Sequence, residues 1–91
     1  PVLSVSGKWE KKGFRVSFSA TDSFSRISSA FYSLNGADWV AIPTVDGVPD
    51  SLLEDFSFLL ENLSGGENSV MLKVSDARGN TAYQNLDIPP G

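Results

Sequence analysis

The sequence predicts an all-β fold, an antiparallel β-sandwich of about seven strands. Apolar and polar residues alternate with period two in several short segments, which is the pattern of strands that bury one face. Gly, Pro, Asn and Asp residues separate these segments, and no segment has a convincing helical period. Together these features predict two sheets that pack their apolar faces against each other.

The first half of the chain contains four of the predicted strands. They cover residues 2–5, 14–20, 27–34 and 38–42. Asn35-Gly36 separates the third strand from the fourth, and this dipeptide tolerates the positive φ angles of a type I′ hairpin turn. Pro43 ends the fourth strand, because proline lacks the amide hydrogen that a strand ladder needs.

The second half begins with a long connection that crosses between the two sheets. Residues 43–51 are rich in Pro, Gly and Asp. Ser51 and Glu54 have the spacing of a capping box, which predicts one helical turn over Ser51–Asp55. The remaining predicted strands cover residues 56–60, 68–75 and 81–88, with turns at residues 64–66 and 76–80.

The apolar faces of these strands supply the predicted core. Large aliphatic and aromatic side chains fill both inner faces, and Trp39 is expected to join them. The other predicted core residues are Phe14, Val16, Phe18, Tyr32, Leu34, Phe56, Phe58, Val70, Leu72 and Val74.

Length and composition limit the number of domains and the kinds of partner. The 91 residues contain no internal linker and predict a single domain over residues 1–91. Seven basic and eleven acidic residues give a net charge of −4, which disfavours nucleic-acid binding because phosphate contacts need clustered Lys and Arg. No apolar run approaches the roughly 18 residues that cross a membrane, so membrane insertion is not expected.

Side chains that commonly perform catalysis are scarce. The chain has no histidine and no cysteine, which removes the commonest general base, the catalytic triads and most transition-metal sites. A pair of carboxylates that cleaves glycosides needs a cleft, and one small sandwich has little room for it. The chain is therefore expected not to be an enzyme and to need no cofactor.

Several motifs resemble bacterial immunoglobulin-like or fibronectin type III-like repeats. The motifs are Val16–Asp22, Ile27–Gly36, Trp39, Asp46-Gly47, Asp50 and Val74–Asn80. The sharpest is the Asp-x-x-Gly-Asn turn that follows the alternating strand at Val74. The resemblance implies an immunoglobulin-like sandwich, and the absence of cysteine excludes the disulfide-linked antibody type.

The resemblance also implies a setting for the chain. Such domains are accessory modules of exported bacterial proteins, so an extracellular, cell-surface or periplasmic location is expected. The chain is expected to be a C-terminal fragment of a larger protein, with Pro1 near a domain junction. The expected partners are other domains of that protein, such as a β-propeller or a catalytic domain, or a glycan.

Asp22, Asp76 and Asn80 are candidate ligands for calcium. Asp22 and Asp76 each follow an alternating strand, and in a sandwich of this topology these strands end at the same edge. Their carboxylates, with Asn80 and nearby carbonyl groups, would supply the oxygen ligands that Ca²⁺ prefers. In the alternative, structural interpretation, Asp76 accepts amide hydrogen bonds from its own turn and Asn80 occupies a left-handed position after Gly79.

Trp9, Phe31 and Tyr83 are candidate ligand-binding residues. Together with Trp39 they would form a flat platform for a sugar ring, as in sandwich domains that bind carbohydrate. Alternatively, these rings make local cross-strand pairs or pack against a neighbouring domain.

These observations favour a non-catalytic module for interdomain or protein–protein interaction or spacing. The alternatives are a carbohydrate-binding module of a secreted glycan-active protein and a calcium-stabilised adhesion repeat.

Overall fold

Two antiparallel sheets pack face to face in a computed structural model, which describes residues 1–43, 52–61, 63 and 67–90. The strands are β1 (Val2–Trp9), β2 (Gly13–Thr21), β3 (Ile27–Leu34), β4 (Val40–Ala41), β5 (Leu53–Glu61), β6 (Asn68–Asp76) and β7 (Thr81–Ile88). The three-stranded sheet has the order β1-β2-β5, and the four-stranded sheet has the order β4-β3-β6-β7. The predicted all-β sandwich is confirmed.

Alternation along β2 and β6 builds the core. In β2 the side chains of Phe14, Val16, Phe18 and Ala20 are buried, and their polar neighbours are not. Burying one large apolar side chain contributes about 1.5–3 kcal/mol, so these two central strands carry much of the stability. The buried apolar core consists of Phe14, Val16, Phe18, Ala20, Ile27, Ala30, Ile42, Phe56, Leu60, Val70, Leu72, Val74 and Ile88.

Stacked aromatic rings occupy the interior. Phe18 of β2 stacks on Phe56 of β5 within one sheet, with ring centroids 4.8 Å apart. Tyr32 of β3 stacks on Phe58 of β5 with centroids 4.4 Å apart, and this pair joins the two sheets. Tyr32, Leu34 and Phe58 are partly buried against the core, which agrees with their predicted role.

The hairpin turn at Asn35-Gly36 forms as the sequence predicts. Both residues have positive φ angles, 51° and 79°. The Asn35 side chain also reaches β6: its Nδ2 donates to Asn68 Oδ1 at 2.9 Å, and its Oδ1 accepts from the Ser69 amide at 2.8 Å. The turn is therefore anchored to the strand beside the hairpin.

The lengths of β1 and β4 differ from the prediction. β1 extends to Trp9 and pairs along its whole length with β2. β4 contains only Val40 and Ala41, because Ser33 Oγ donates to the Ala37 carbonyl oxygen at 2.6 Å and residues 37–39 leave the ladder.

The predicted helical turn over Ser51–Asp55 is wrong. β5 already begins at Leu53, which pairs with Thr21 of β2, so the capping-box spacing has no helix to cap. Ser51, most of the predicted connection (residues 44–51) and the turn at residues 64–66 lie outside the described residues. Within the described part of the chain, no helix has the length and apolar character needed to cross a membrane.

Candidate functional site

Phe31, Lys73 and Tyr83 lie side by side on the outer face of the four-stranded sheet. Phe31 of β3 pairs with Lys73 of β6, and Lys73 pairs with Tyr83 of β7. Directly paired residues of antiparallel strands share a face of the sheet. Because Leu72 and Val74, the neighbours of Lys73, are buried, Lys73 and its two partners point away from the core.

Trp39 lies in the segment between β3 and β4, and its ring lies close to Lys73. The Lys73 ammonium nitrogen is 4.5 Å from the centre of the Trp39 ring and 5.0 Å from the centre of the Phe31 ring. The Trp39 and Tyr83 ring centroids are 6.4 Å apart, and the planes are tilted by 51°. We call Phe31, Trp39, Lys73 and Tyr83 the aromatic–lysine cluster.

The aromatic–lysine cluster is held together by its cation and remains open to solvent. A cation over an aromatic face at an exposed site contributes about 0.5–1 kcal/mol, and Lys73 makes two such contacts. Trp39 is 42% exposed and Tyr83 is 61% exposed. Lys73 therefore stabilises the positions of Phe31 and Trp39, while a large part of Trp39 and Tyr83 stays exposed to solvent.

Polar side chains border the aromatic–lysine cluster along β7. On one side of Tyr83, the hydroxyl of Thr81 lies 2.9 Å from that of Ser75. On the other side, Asn85 Nδ2 donates to Asp87 Oδ1 at 3.3 Å. The exposed rings are thus flanked by hydroxyl, amide and carboxylate groups that form hydrogen bonds.

The prediction that Trp39 belongs to the core is wrong. In the β3–β4 register Tyr32 pairs with Val40 and Phe31 pairs with Ala41, so Val40 lies on the side of Tyr32. Because sides alternate along the chain, Trp39 lies on the outer side with Phe31, and its ring contacts Lys73. One feature of the sequence indicates an outward position for Trp39. Lys73 is at an outward site of β6, and its aliphatic stem and its charge attract aromatic rings.

Trp9 lies away from the other candidate ligand-binding residues. It belongs to β1 of the three-stranded sheet and pairs with buried Phe14, so its ring points to the inner face. The two rings meet edge to face with centroids 5.2 Å apart, and Trp9 Nε1 donates to the Pro89 carbonyl oxygen at 2.9 Å. Trp9 therefore covers one end of the core, whereas Phe31 and Tyr83 share the outer face.

Asp76 organises the turn between β6 and β7. Its Oδ1 accepts hydrogen bonds from the backbone amides of Arg78 and Asn80, both at 2.9 Å. Its Oδ2 accepts one from Asn80 Nδ2 at 3.0 Å. The positive φ angle of this turn belongs to Gly79, at 89°, and not to Asn80 as the structural interpretation expected.

Asp22 organises the neighbouring turn between β2 and β3. Its Oδ1 accepts from the amides of Phe24 and Ser25, at 2.9 and 3.0 Å. The two turns meet, because Asp22 of one turn and Arg78 and Asn80 of the other line one cleft. The structure thus brings together the three residues that were expected at one edge.

The hydrogen bonds of Asp76 outweigh the effect of its burial. Burial raises the pKa of this carboxyl group, whereas the hydrogen bonds donated by Asn80 and by the Arg78 amide lower it. The result is a pKa lowered from 3.8 to about 2. The carboxylate is therefore charged at neutral pH and is bound by its own turn.

Calcium binding by Asp22, Asp76 and Asn80 stays a prediction. In residues 1–43, 52–61, 63 and 67–90, no three His, Cys, Asp or Glu side chains converge on one point. An ion at this edge would compete with the amide donors for the Asp76 oxygens. A calcium titration followed by melting temperature tests the prediction, and an unchanged melting temperature at millimolar calcium would contradict it.

Comparisons with family models, curated proteins and solved structures found no match.

Proposed function

We propose that this chain is a non-catalytic accessory module that binds a partner through the aromatic–lysine cluster. The observation that carries the proposal is the pair of exposed rings, Trp39 and Tyr83, which lie beside each other on one sheet face with Lys73 over the Trp39 ring. The favoured partner is a protein surface, either a neighbouring domain of the same polypeptide or a separate protein. The setting proposed for it is an exported multidomain bacterial protein.

The strand order supports the immunoglobulin-like or fibronectin type III-like assignment. Immunoglobulin constant domains place their first, second and fifth strands in one sheet and their third, sixth and seventh strands in the other. In the present domain β1, β2 and β5 likewise form one sheet, and β3, β6 and β7 belong to the other. It differs at the fourth strand, which joins β3 in the four-stranded sheet instead of pairing with β5.

The chemistry of the aromatic–lysine cluster supports a role in binding. Tyr and Trp are enriched among the residues that dominate protein–protein binding energy, because they bury a large area and lose little conformational entropy. Lys73 fixes the ring of Trp39 before a partner arrives, which lowers the entropy cost of binding. The absence of histidine and cysteine from the sequence supports a role without catalysis.

A second candidate function is carbohydrate binding, and the border of the aromatic–lysine cluster favours it. Sugar rings stack on exposed aromatic faces and form hydrogen bonds with polar groups at their edges. Tyr83 lies between Thr81 and Asn85 on the outer side of β7, so both kinds of contact are present on one face.

One crosslinking experiment tests the proposed face. Tyr83 is replaced by the photo-crosslinking residue benzoylphenylalanine in the natural polypeptide that contains this domain. The matched control carries the same residue in place of Ser19, on the outer face of the three-stranded sheet. We expect illumination to join the Tyr83 position to a polypeptide, in cis or in trans, far more efficiently than the Ser19 position. Equal crosslinking at the two positions would contradict the proposal.

A polysaccharide pull-down and a glycan array separate the two candidate functions. Retention of the wild-type chain, together with its loss in a Tyr83→Ala variant, would establish carbohydrate binding in place of a protein partner. No retention, together with specific crosslinking to a polypeptide, is the result that the first proposal expects.

A further inference from the structure

The edge strands of this sandwich are protected to different degrees. An edge strand has unpaired backbone groups that pair with other chains, and proteins block this with short strands, charges or proline. β4 has only two residues, and β5 carries Glu54, Asp55 and Glu61. β1 contains Gly7 and Lys8. These three edges therefore have features that discourage pairing.

β7 lacks most of these protective features. Its eight residues contain no Gly, Pro, Lys or Arg, and its one charged residue is Asp87 near the end. Among the described residues its backbone ladder is with β6 alone; β1 of the other sheet comes within 8 Å of β7, Cα to Cα, but forms no ladder with it. Tyr83, Gln84 and Asn85 in its middle are all exposed.

We propose that β7 pairs with β7 of a second copy of this chain. The two strands run antiparallel about a two-fold axis at Gln84, so that Gln84 faces Gln84 of the second copy. On the outer face, Tyr83 then lies opposite Asn85 of the second copy. On the inner face, Ala82 lies opposite Leu86 of the second copy.

A hydrogen-bond donor opposite Asp87 and the separation of like charges favour this arrangement. The Asp87 carboxylate faces the Thr81 hydroxyl of the second copy, which is a donor for it. The two Asp87 carboxylates lie at opposite ends of the ladder, roughly 20 Å apart at about 3.4 Å per residue. This separation exceeds the Debye length of about 8 Å at physiological salt, so their repulsion is screened.

An antiparallel pairing whose two-fold axis is moved by one residue, from Gln84 to Asn85, is less favourable. Centring the pair on Asn85 brings Pro89, which has no amide hydrogen, opposite Thr81 of the second copy. It also places the Asp87 carboxylate against the Tyr83 ring of the second copy. The arrangement centred on Gln84 avoids both contacts and keeps residues 81–87 in the ladder.

Pairing at β7 produces one continuous eight-stranded sheet from two four-stranded sheets. A two-fold axis perpendicular to the sheet leaves both aromatic–lysine clusters on the same face. Because Tyr83 is next to the axis residue, the two clusters become neighbours. The dimer would thus present two equivalent binding surfaces to one partner, which strengthens binding to repetitive partners without any new contact.

A single introduced cysteine tests the arrangement, because the chain has no cysteine of its own. In a Gln84→Cys variant the two thiols face each other at a separation compatible with a disulfide. We expect mild oxidation to give a covalent dimer at the protein concentrations at which the noncovalent dimer forms. The matched control is Ser4→Cys on β1, an exposed residue of the other sheet's edge, which should remain monomeric.

Sedimentation equilibrium from about 10 μM to about 1 mM measures the free association, since a strand-edge interface is small and weak. Gln84→Lys places two ammonium groups opposite each other and should weaken association by about tenfold, whereas Ser4→Lys should not. A wild-type chain that stays monomeric at about 1 mM would overturn the proposal. A dimer that crosslinks through Ser4→Cys and not through Gln84→Cys would overturn it as well.

Discussion

Asp76 and Asn80 hold each other through both carboxylate oxygens of the aspartate. Oδ1 accepts from the Asn80 backbone amide at 2.9 Å, and Oδ2 accepts from the Asn80 side chain at 3.0 Å. Burial of Asp76 raises its pKa, but these and neighbouring hydrogen bonds lower it from 3.8 to about 2. Between these two values the unfolded chain binds more protons than the folded one, so folding is favoured less as the pH falls.

The first prediction concerns this acid dependence. The contribution of Asp76 to stability is complete above about pH 4 and is lost as the pH falls towards 2. We expect the melting temperature to fall over that range in the wild-type chain and to fall less in Asp76→Asn. Thermal unfolding followed by circular dichroism measures it, with Asp87→Asn as an exposed control. An equally steep fall in Asp76→Asn would show that another group is responsible.

The second prediction compares two phenylalanines of opposite exposure. Phe56 is 2% exposed and stacks on Phe18, whereas Phe24 is 85% exposed. Phe56→Ala leaves a cavity and should lower the free energy of unfolding by about 3–5 kcal/mol. Phe24→Ala should change it by less than about 0.5 kcal/mol. Urea denaturation gives both values, and similar losses in the two variants would be inconsistent with the packing.

The third prediction concerns the start of β2. A methyl group on Gly13 would collide with the carbonyl oxygen of Leu60 in β5. Gly13→Ala should therefore force the two strands apart and cost about 1–3 kcal/mol. Hydrogen exchange should show faster exchange at the Gly13 end of the β2–β5 ladder in this variant. Unchanged stability and exchange would mean that the strands are farther apart than described.

For comparison, Gly36→Ala changes a turn instead of a strand contact. No atom lies within 4 Å of a methyl group added there, but the φ angle of 79° disfavours any side chain. The cost should be about 1–2 kcal/mol and should leave exchange in the β2–β5 ladder unaltered.

The fourth prediction concerns Lys73. Lys73→Met keeps an unbranched, flexible side chain and removes the charge that lies over Phe31 and Trp39. The free energy of unfolding should fall by about 0.5–1 kcal/mol, and the Trp39 fluorescence should change as the ring loses its cation. Lys8→Met on β1 is the control for the loss of one positive charge. Equal effects of the two substitutions would argue against a specific contact with the rings.

The sequence predicted the strands best where one face of a strand is buried. β2 and β6 are central strands with strict alternation, and their predicted limits agree with the structure to within one residue. The edge strands β1, β4 and β5 were predicted less well, because their lengths depend on their partners, whereas the predicted limits of the edge strand β7 agree with the structure. β5 extends back to Leu53 along the template of β2, and this pairing overrides the local signal for a helical turn.

The aromatic–lysine cluster was predicted only in part for a similar reason. The alternation of β3 and β7 indicated that Phe31 and Tyr83 would face outward, but the position of Lys73 between them depends on the register of three strands. The side on which Trp39 lies depends on the register of β4 against β3. Neither register follows from periodicity.

The pairing of β2 with β5 has a consequence for the time course of folding. The hairpins β1–β2 and β6–β7 join residues that are close in sequence and can form early. The β2–β5 ladder joins residues that are distant in sequence, such as Phe14 and Leu60. Closing the loop between them costs conformational entropy, which slows the formation of this ladder. The β3–β6 ladder joins residues that are similarly distant, such as Ala30 and Val74. We therefore expect both ladders, and with them the Phe18–Phe56 stack, to form after the hairpins.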